Sequence, residues 1–112
     1  MKPMLLAMAL ACWASTVLAQ PRSGYEIALQ DCGACHAVGR YDRSKQPPAP
    51  PFRTLAAKYD VEGLAEALAE GISVGHPKMP EFIYPPDQID RLISYLKSLQ
   101  PRAAIERPRE GE

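Results

Sequence analysis

A C-x-x-C-H motif formed by Cys32, Cys35 and His36 constrains this 112-residue chain more than any other feature. At this spacing two thiols can bond both vinyl groups of one haem, and the histidine that follows can bind the iron. The alternatives are a redox-active C-x-x-C, a structural disulfide and half of a zinc site. The sequence lacks the second Cys/His pair of a zinc site and the strand pattern of a thioredoxin-like site. The motif therefore predicts one covalently attached haem.

Residues 1–19 have the pattern of a secretory signal peptide. Lys2 precedes an apolar run over residues 4–13, and small residues ending at Ala19 form a cleavage site. The run is shorter than the roughly 20 residues that a membrane span needs, so we expect no membrane anchor. Cleavage would also remove the third cysteine, Cys12, and leave only the two cysteines of the motif.

Residues 20–100 are expected to form one small domain, followed by a charged, disordered tail over residues 101–112. A chain of this size buries little surface by itself, so a large apolar cofactor would complete its core. The sequence has 13 basic and 13 acidic residues. It therefore lacks the basic surplus that nucleic acid binding requires, and we expect no nucleic acid partner.

Helical periodicity is the dominant pattern in the second half of the domain. The clearest amphipathic helix follows a cap at Asp87. Its apolar residues recur at helical spacing: Ile89, Leu92, Ile93 and Leu96. Another helix is predicted from a cap at Asp60 to about Ile72, with Gly71 or Gly75 at its end.

The segment before the motif predicts a short helix over residues 24–30, with Ser23 available as its cap. Three of its residues are expected close to one face: Tyr25, Ala28 and Leu29. The prolines of residues 47–51 exclude a regular helix there, and residues 52–58 fit one or two helical turns.

Together these features resemble a short bacterial class I cytochrome c. The resemblance rests on the motif near an N-terminal helix, the proline loop, the late pair Met79-Pro80 and the terminal segment over residues 92–97. It implies an all-α class I cytochrome c fold, with three to five short helices around one covalently attached haem c. It also implies that Gly24 and Tyr95 lie where the first and last helices cross, and that the protein is periplasmic.

The resemblance implies that the iron is bound by His36 on one side and by Met79 on the other. Met79 is the sole methionine that remains after signal cleavage. His76 is a competitor that would give a bis-histidine haem, and Lys78 could bind iron at alkaline pH. We interpret both as misligation candidates.

The resemblance also implies that a proline carbonyl fixes the other ring nitrogen of the histidine ligand. Alignment on Phe52 favours Pro50 for this role over Pro51 and Pro47. A haem propionate would be contacted by a tyrosine, for which Tyr59 and Tyr84 are the candidates, although either can equally be a core residue.

Iron that is closed on both sides favours outer-sphere electron transfer over catalysis. We therefore expect a monomeric periplasmic carrier, not an enzyme, that exchanges single electrons with transient redox protein donors and acceptors. One alternative is a dedicated cytochrome subunit of a periplasmic dehydrogenase. Another is a haem enzyme or gas sensor in which Met79 is displaced. Three basic residues form a possible docking rim: Arg40, Arg43 and Lys45.

Overall fold

A computed structural model describes residues 19–71 and 78–106 of the chain. These residues form five helical segments and, within those ranges, no strand. The predicted all-α class is therefore confirmed. The predicted signal peptide lies outside the described residues except for Ala19, and it stays a prediction. Among the described residues, no helix is both long enough and apolar enough to cross a membrane.

The first helical segment begins as helix α1 (Gly24–Ile27) and continues as a π-helix (Ala28–Cys32). Ser23 caps it as predicted: the Glu26 N–H donates to Ser23 Oγ at 3.2 Å. In return the Ser23 N–H donates to the Glu26 carboxylate at 2.7 Å, which completes a capping box. The segment thus runs directly into the first cysteine of the motif.

The buried face of this segment includes only one of the three residues expected close to one face. Ala28 is buried, but Tyr25 and Leu29 are 47% and 48% exposed, while Gly24 and Ile27 are buried instead. Residues 24, 27 and 28 lie at i, i+3 and i+4, so they share one face of a helix. Contact between Gly24 and the last long helix turns this face towards the core.

That last long helix is α3 (Pro86–Leu99), and it crosses α1 in close contact. A Cβ atom placed on Gly24 would lie 2.0 Å from the Arg91 carbonyl oxygen and 2.8 Å from Tyr95 Cβ. The Tyr95 ring also packs edge-on against Tyr25, with 5.6 Å between the ring centroids. Gly24 and Tyr95 therefore meet at the helix crossing, where the missing side chain lets the backbones approach.

Helix α3 buries all four residues of the predicted apolar stripe, together with Leu99. Its start differs from the prediction, because Pro85 rather than Asp87 occupies the N-cap position. Pro86 has a backbone torsion already suited to the first helical position, so the helix starts before Asp87. The Asp87 carboxylate instead pairs with Arg91 one turn later, at 2.7 Å.

Helix α2 (Leu64–Glu70) is shorter than predicted. The Asp60 carboxylate accepts the N–H groups of Glu62 at 3.2 Å and Gly63 at 3.0 Å, so it stabilises a turn ahead of the helix. Gly71, with φ of 101°, ends the helix in a conformation that favours glycine. The other possible end, Gly75, lies outside the described residues, as does Ile72.

A 3₁₀ helix (Phe52–Ala57) corresponds to the one or two turns predicted after the proline loop. The buried Gln100 side chain joins it to the end of α3. Gln100 Nε2 donates to the Phe52 carbonyl at 2.6 Å and to the Leu96 carbonyl at 3.0 Å. Gln100 Oε1 accepts the Ala56 N–H at 3.0 Å.

Part of the tail expected to be disordered is helical, because helix α4 (Arg102–Ile105) follows Pro101. Two consecutive alanines, Ala103 and Ala104, favour a helix, and the Ala104 N–H donates to the Pro101 carbonyl at 2.9 Å. Helix α4 also contacts the 3₁₀ helix, which provides packing that its composition alone did not indicate. Residues 107–112 lie outside the described residues.

Candidate haem site

The C-x-x-C-H motif begins on the last residue of the π-helix and closes into one turn. The Cys32 carbonyl accepts the N–H of Cys35 at 3.2 Å and that of His36 at 3.0 Å. Both cysteines are half-buried free thiols, so they are not bonded to each other. Two thiols and an imidazole held by one turn form the donor set that covalent haem attachment requires.

Burial, with the Asp31 carboxylate and the second thiol nearby, raises the pKa of the Cys32 thiol to about 12. Burial therefore favours the protonated form of this thiol in the haem-free protein. Among the described residues, no group of three or more His, Cys, Asp or Glu side chains is placed to hold a metal ion, so nothing there supports the zinc alternative.

The His36 ring is oriented by the proline loop. His36 Nδ1 lies 2.8 Å from the carbonyl oxygen of Pro50, rather than from that of Pro47 or Pro51. A carbonyl can only accept, so Nδ1 carries the proton and Nε2 keeps a free lone pair. The ring also lies 5.1 Å from the Phe52 ring, measured between centroids. His36 is therefore prepared to bind iron through Nε2.

Short polar side chains fix the loop that carries Pro50. The Ser44 hydroxyl accepts the Ala37 N–H at 3.0 Å. The Asp42 carboxylate accepts the N–H groups of Val38 at 3.2 Å and Gly39 at 2.9 Å. We did not predict this role for Asp42, although aspartate is a common residue in turns.

Met79 is half-buried and packs against the same buried core as Cys32. Phe82 and Leu64 are also partly buried and pack against this core. A thioether with apolar neighbours fits a haem ligand, and binding of Met79 to the iron stays a prediction. His76 lies outside the described residues, and Lys78 is exposed.

The two tyrosine candidates lie in different environments. Tyr84 is buried, and its hydroxyl donates to Asp31 Oδ2 at 2.9 Å. Tyr59 is 45% exposed and lines a cleft of about 310 Å³ between the 3₁₀ helix and α4, which contains none of the motif residues. A propionate contact for either residue stays a prediction.

A residue missed by the sequence analysis, Asp31, precedes the first cysteine of the motif. Besides Tyr84 it contacts Arg22, whose Nη1 lies 3.2 Å from Asp31 Oδ1. Arg22 Nη2 also donates to Gln88 Oε1 in α3, at 3.3 Å. Nothing in the local sequence indicates this cluster, because its members come from three distant segments.

Comparison with known proteins gives one family match. The family model described as Cytochrome c matches residues 22–100, a range that includes the motif, Met79 and helix α3. No curated protein and no solved structure matches the chain.

Proposed function

Because the chain belongs to the cytochrome c family, with covalently bound haem c as its cofactor, we propose that it is a periplasmic single-electron carrier. Members of this family are typically electron carriers rather than enzymes, and they are typically extracellular or periplasmic. The observation that carries the proposal is the 2.8 Å contact between His36 Nδ1 and the Pro50 carbonyl, which prepares Nε2 for iron.

Each proposed role belongs to a residue of this chain. Cys32 and Cys35 would hold the haem through two thioether bonds, and His36 Nε2 would bind the iron. Met79 would supply its thioether as the second iron ligand, which would leave no position for oxygen or peroxide. The bound haem supplies a one-electron Fe(III)/Fe(II) couple. The apolar side chains that pack with Met79 against the core would exclude water from the bound haem.

The docking of partners is proposed to be transient. Arg40, Arg43 and Lys45 are all exposed and so are accessible to a redox partner, and Arg40 also donates to the Ser98 carbonyl at 2.8 Å. The balanced charge of the chain favours brief encounters over tight electrostatic binding.

Carbon monoxide binding tests the carrier proposal in the haem-loaded protein. The reduced protein should not bind carbon monoxide rapidly at neutral pH, and it should elute as a monomer that exchanges electrons with a redox partner. Rapid binding would mean an open iron and would favour the enzyme or sensor alternative. Co-purification with one dehydrogenase in fixed stoichiometry would favour the subunit alternative.

The ligand assignment is tested by two matched variants. Met79→Ala should abolish the sulfur-to-iron charge-transfer absorption of the oxidised protein and lower its reduction potential, because a thioether stabilises Fe(II). His76→Ala should leave both unchanged. The reverse result would assign the distal position to His76.

A further inference from the structure

Four polar side chains from three segments meet beside the first cysteine of the motif. They come from the residues before α1, from the π-helix and from the region where α3 begins: Arg22, Asp31, Tyr84 and Gln88. The sequence separations are 53 residues for the Tyr84–Asp31 bond and 66 for the Arg22–Gln88 bond. The cluster is therefore a product of the tertiary fold.

The central member of this cluster is Asp31, and its charge is only partly exposed to water. Its side chain is 21% exposed and that of Arg22 is 36% exposed. Arg22 Nη1 lies 3.2 and 3.3 Å from the two carboxylate oxygens, and the buried Tyr84 donates to one of them. Partly buried charges are screened less by water and salt than exposed ones.

The field of Asp31 reaches the haem attachment point. Asp31 directly precedes Cys32, and its carboxylate contributes, after burial, to the raised pKa of the Cys32 thiol. A negative charge that opposes ionisation of this sulfur also opposes the arrival of an electron at a haem bonded to it.

We propose that Asp31 and Arg22 set the reduction potential of the haem iron with opposite signs. The Asp31 carboxylate lowers the potential, because it disfavours addition of an electron to Fe(III). Arg22 raises the potential, because it offsets that charge. The electron comes from the donor protein and leaves to the acceptor, and no bond or proton changes at either side chain. The inference rests on the proposed electron-carrier function.

Three variants of the haem-loaded protein test this inference by redox titration at pH 7. Asp31→Asn keeps an acceptor for the Tyr84 hydroxyl and should raise the potential. Arg22→Gln should lower it. We expect each change to shift the oxidised-to-reduced ratio by about threefold to tenfold at fixed potential, or roughly 30 to 60 mV. The double variant should return close to the wild-type value, because the opposed charges are removed together.

A second ion pair provides the matched control. Glu62 and Lys97 form an exposed salt bridge beside the cleft that Tyr59 lines. That cleft contains none of the motif residues. Glu62→Gln and Lys97→Gln should leave the potential unchanged. Circular dichroism should show that every variant remains folded.

The outcomes separate the inference from the proposed function. A wild-type protein without a reversible one-electron couple would contradict the proposed function itself. If that couple is present but Asp31→Asn and Arg22→Gln shift the potential in the same direction, or not at all, the inference alone is wrong. A shift of equal size in the Glu62 control would also overturn it, because the effect would then not depend on the site.

Discussion

Tyr84 shows how one side chain can join distant parts of this chain. Its ring is buried, its hydroxyl bonds Asp31 on the π-helix, and its N–H donates to the Leu68 carbonyl of α2 at 3.1 Å. From the sequence, Tyr84 could be identified only as a candidate for a propionate contact or for the core. A hydrogen bond across 53 residues leaves no local pattern, since it depends on how the helices pack.

Replacing Tyr84 with phenylalanine should destabilise the protein. The change leaves the packing but removes the donor to a half-buried carboxylate, a bond worth about 2 kcal/mol. Chemical denaturation should therefore show a lower free energy of unfolding. Tyr41→Phe is the control, because Tyr41 is 93% exposed and should tolerate the change. Equal stability of the two variants would contradict the assigned role of the Tyr84 hydroxyl.

The same variant should change the alkaline stability. Burial and the bond to Asp31 raise the pKa of Tyr84, so its neutral form is favoured in the folded state. The contribution of the neutral Tyr84 hydroxyl to the free energy of unfolding is complete below the ordinary tyrosine pKa of about 10. This contribution is lost as the pH rises above that value, because the tyrosine of the unfolded chain then releases its proton first. The difference in unfolding free energy between wild type and Tyr84→Phe should thus shrink above pH ~10.

The crossing of helices α1 and α3 depends on one position, Gly24. Gly24 has no Cβ, and an added one would meet the backbone carbonyl of Arg91. Flexible side chains can move aside, but a carbonyl inside a helix cannot do so without disturbing that helix. The crossing therefore fixes the position of the segment that leads into the haem motif.

Gly24→Ala should lower the free energy of unfolding by at least about 2 kcal/mol, because the two helices must separate. Gly63→Ala is the matched control. Gly63 has φ of −64°, and its nearest neighbour to an added Cβ is the Asp60 carboxylate at 3.1 Å. We expect the control to change stability by less than about 1 kcal/mol. Thermal unfolding of both variants is the measurement, and an unaffected Gly24→Ala protein would contradict the close crossing.

The elements that could be predicted from sequence are those defined by local patterns. The apolar stripe of α3, the Ser23 cap and the motif turn each depend on residues within a few positions of one another. The buried face of α1 could not be predicted, since it is set by contact with α3. Helix α4 was missed for a similar reason, because its short run of alanines is supported by packing on the 3₁₀ helix.

At the scale of the whole molecule, the haem and the chain are expected to form one folding unit. The described core combines buried residues of every segment except α4 with a border of partly buried apolar side chains, among them Cys32 and Met79. Such a small core is marginal without additional cross-links, which two thioether bonds and an iron ligand would provide.

Intact mass measurement tests covalent haem attachment and the predicted signal cleavage together. The full chain, produced with haem-attachment machinery and denatured in acid, should have the mass of residues 20–112 plus one haem. Loss of the haem in acid would contradict covalent attachment. A mass that includes residues 1–19 would contradict cleavage and leave the attachment result unaffected.

The oxygen atom that orients His36 belongs to the main chain of Pro50, which has consequences for how this protein can evolve. Every amino acid carries a carbonyl, so no substitution at position 50 deletes the acceptor itself. The charges of Asp31 and Arg22, by contrast, are each lost by a single codon change. Inherited variation in the driving force for electron transfer should therefore arise at the charged cluster, while the hydrogen bond that orients His36 is less exposed to loss by mutation.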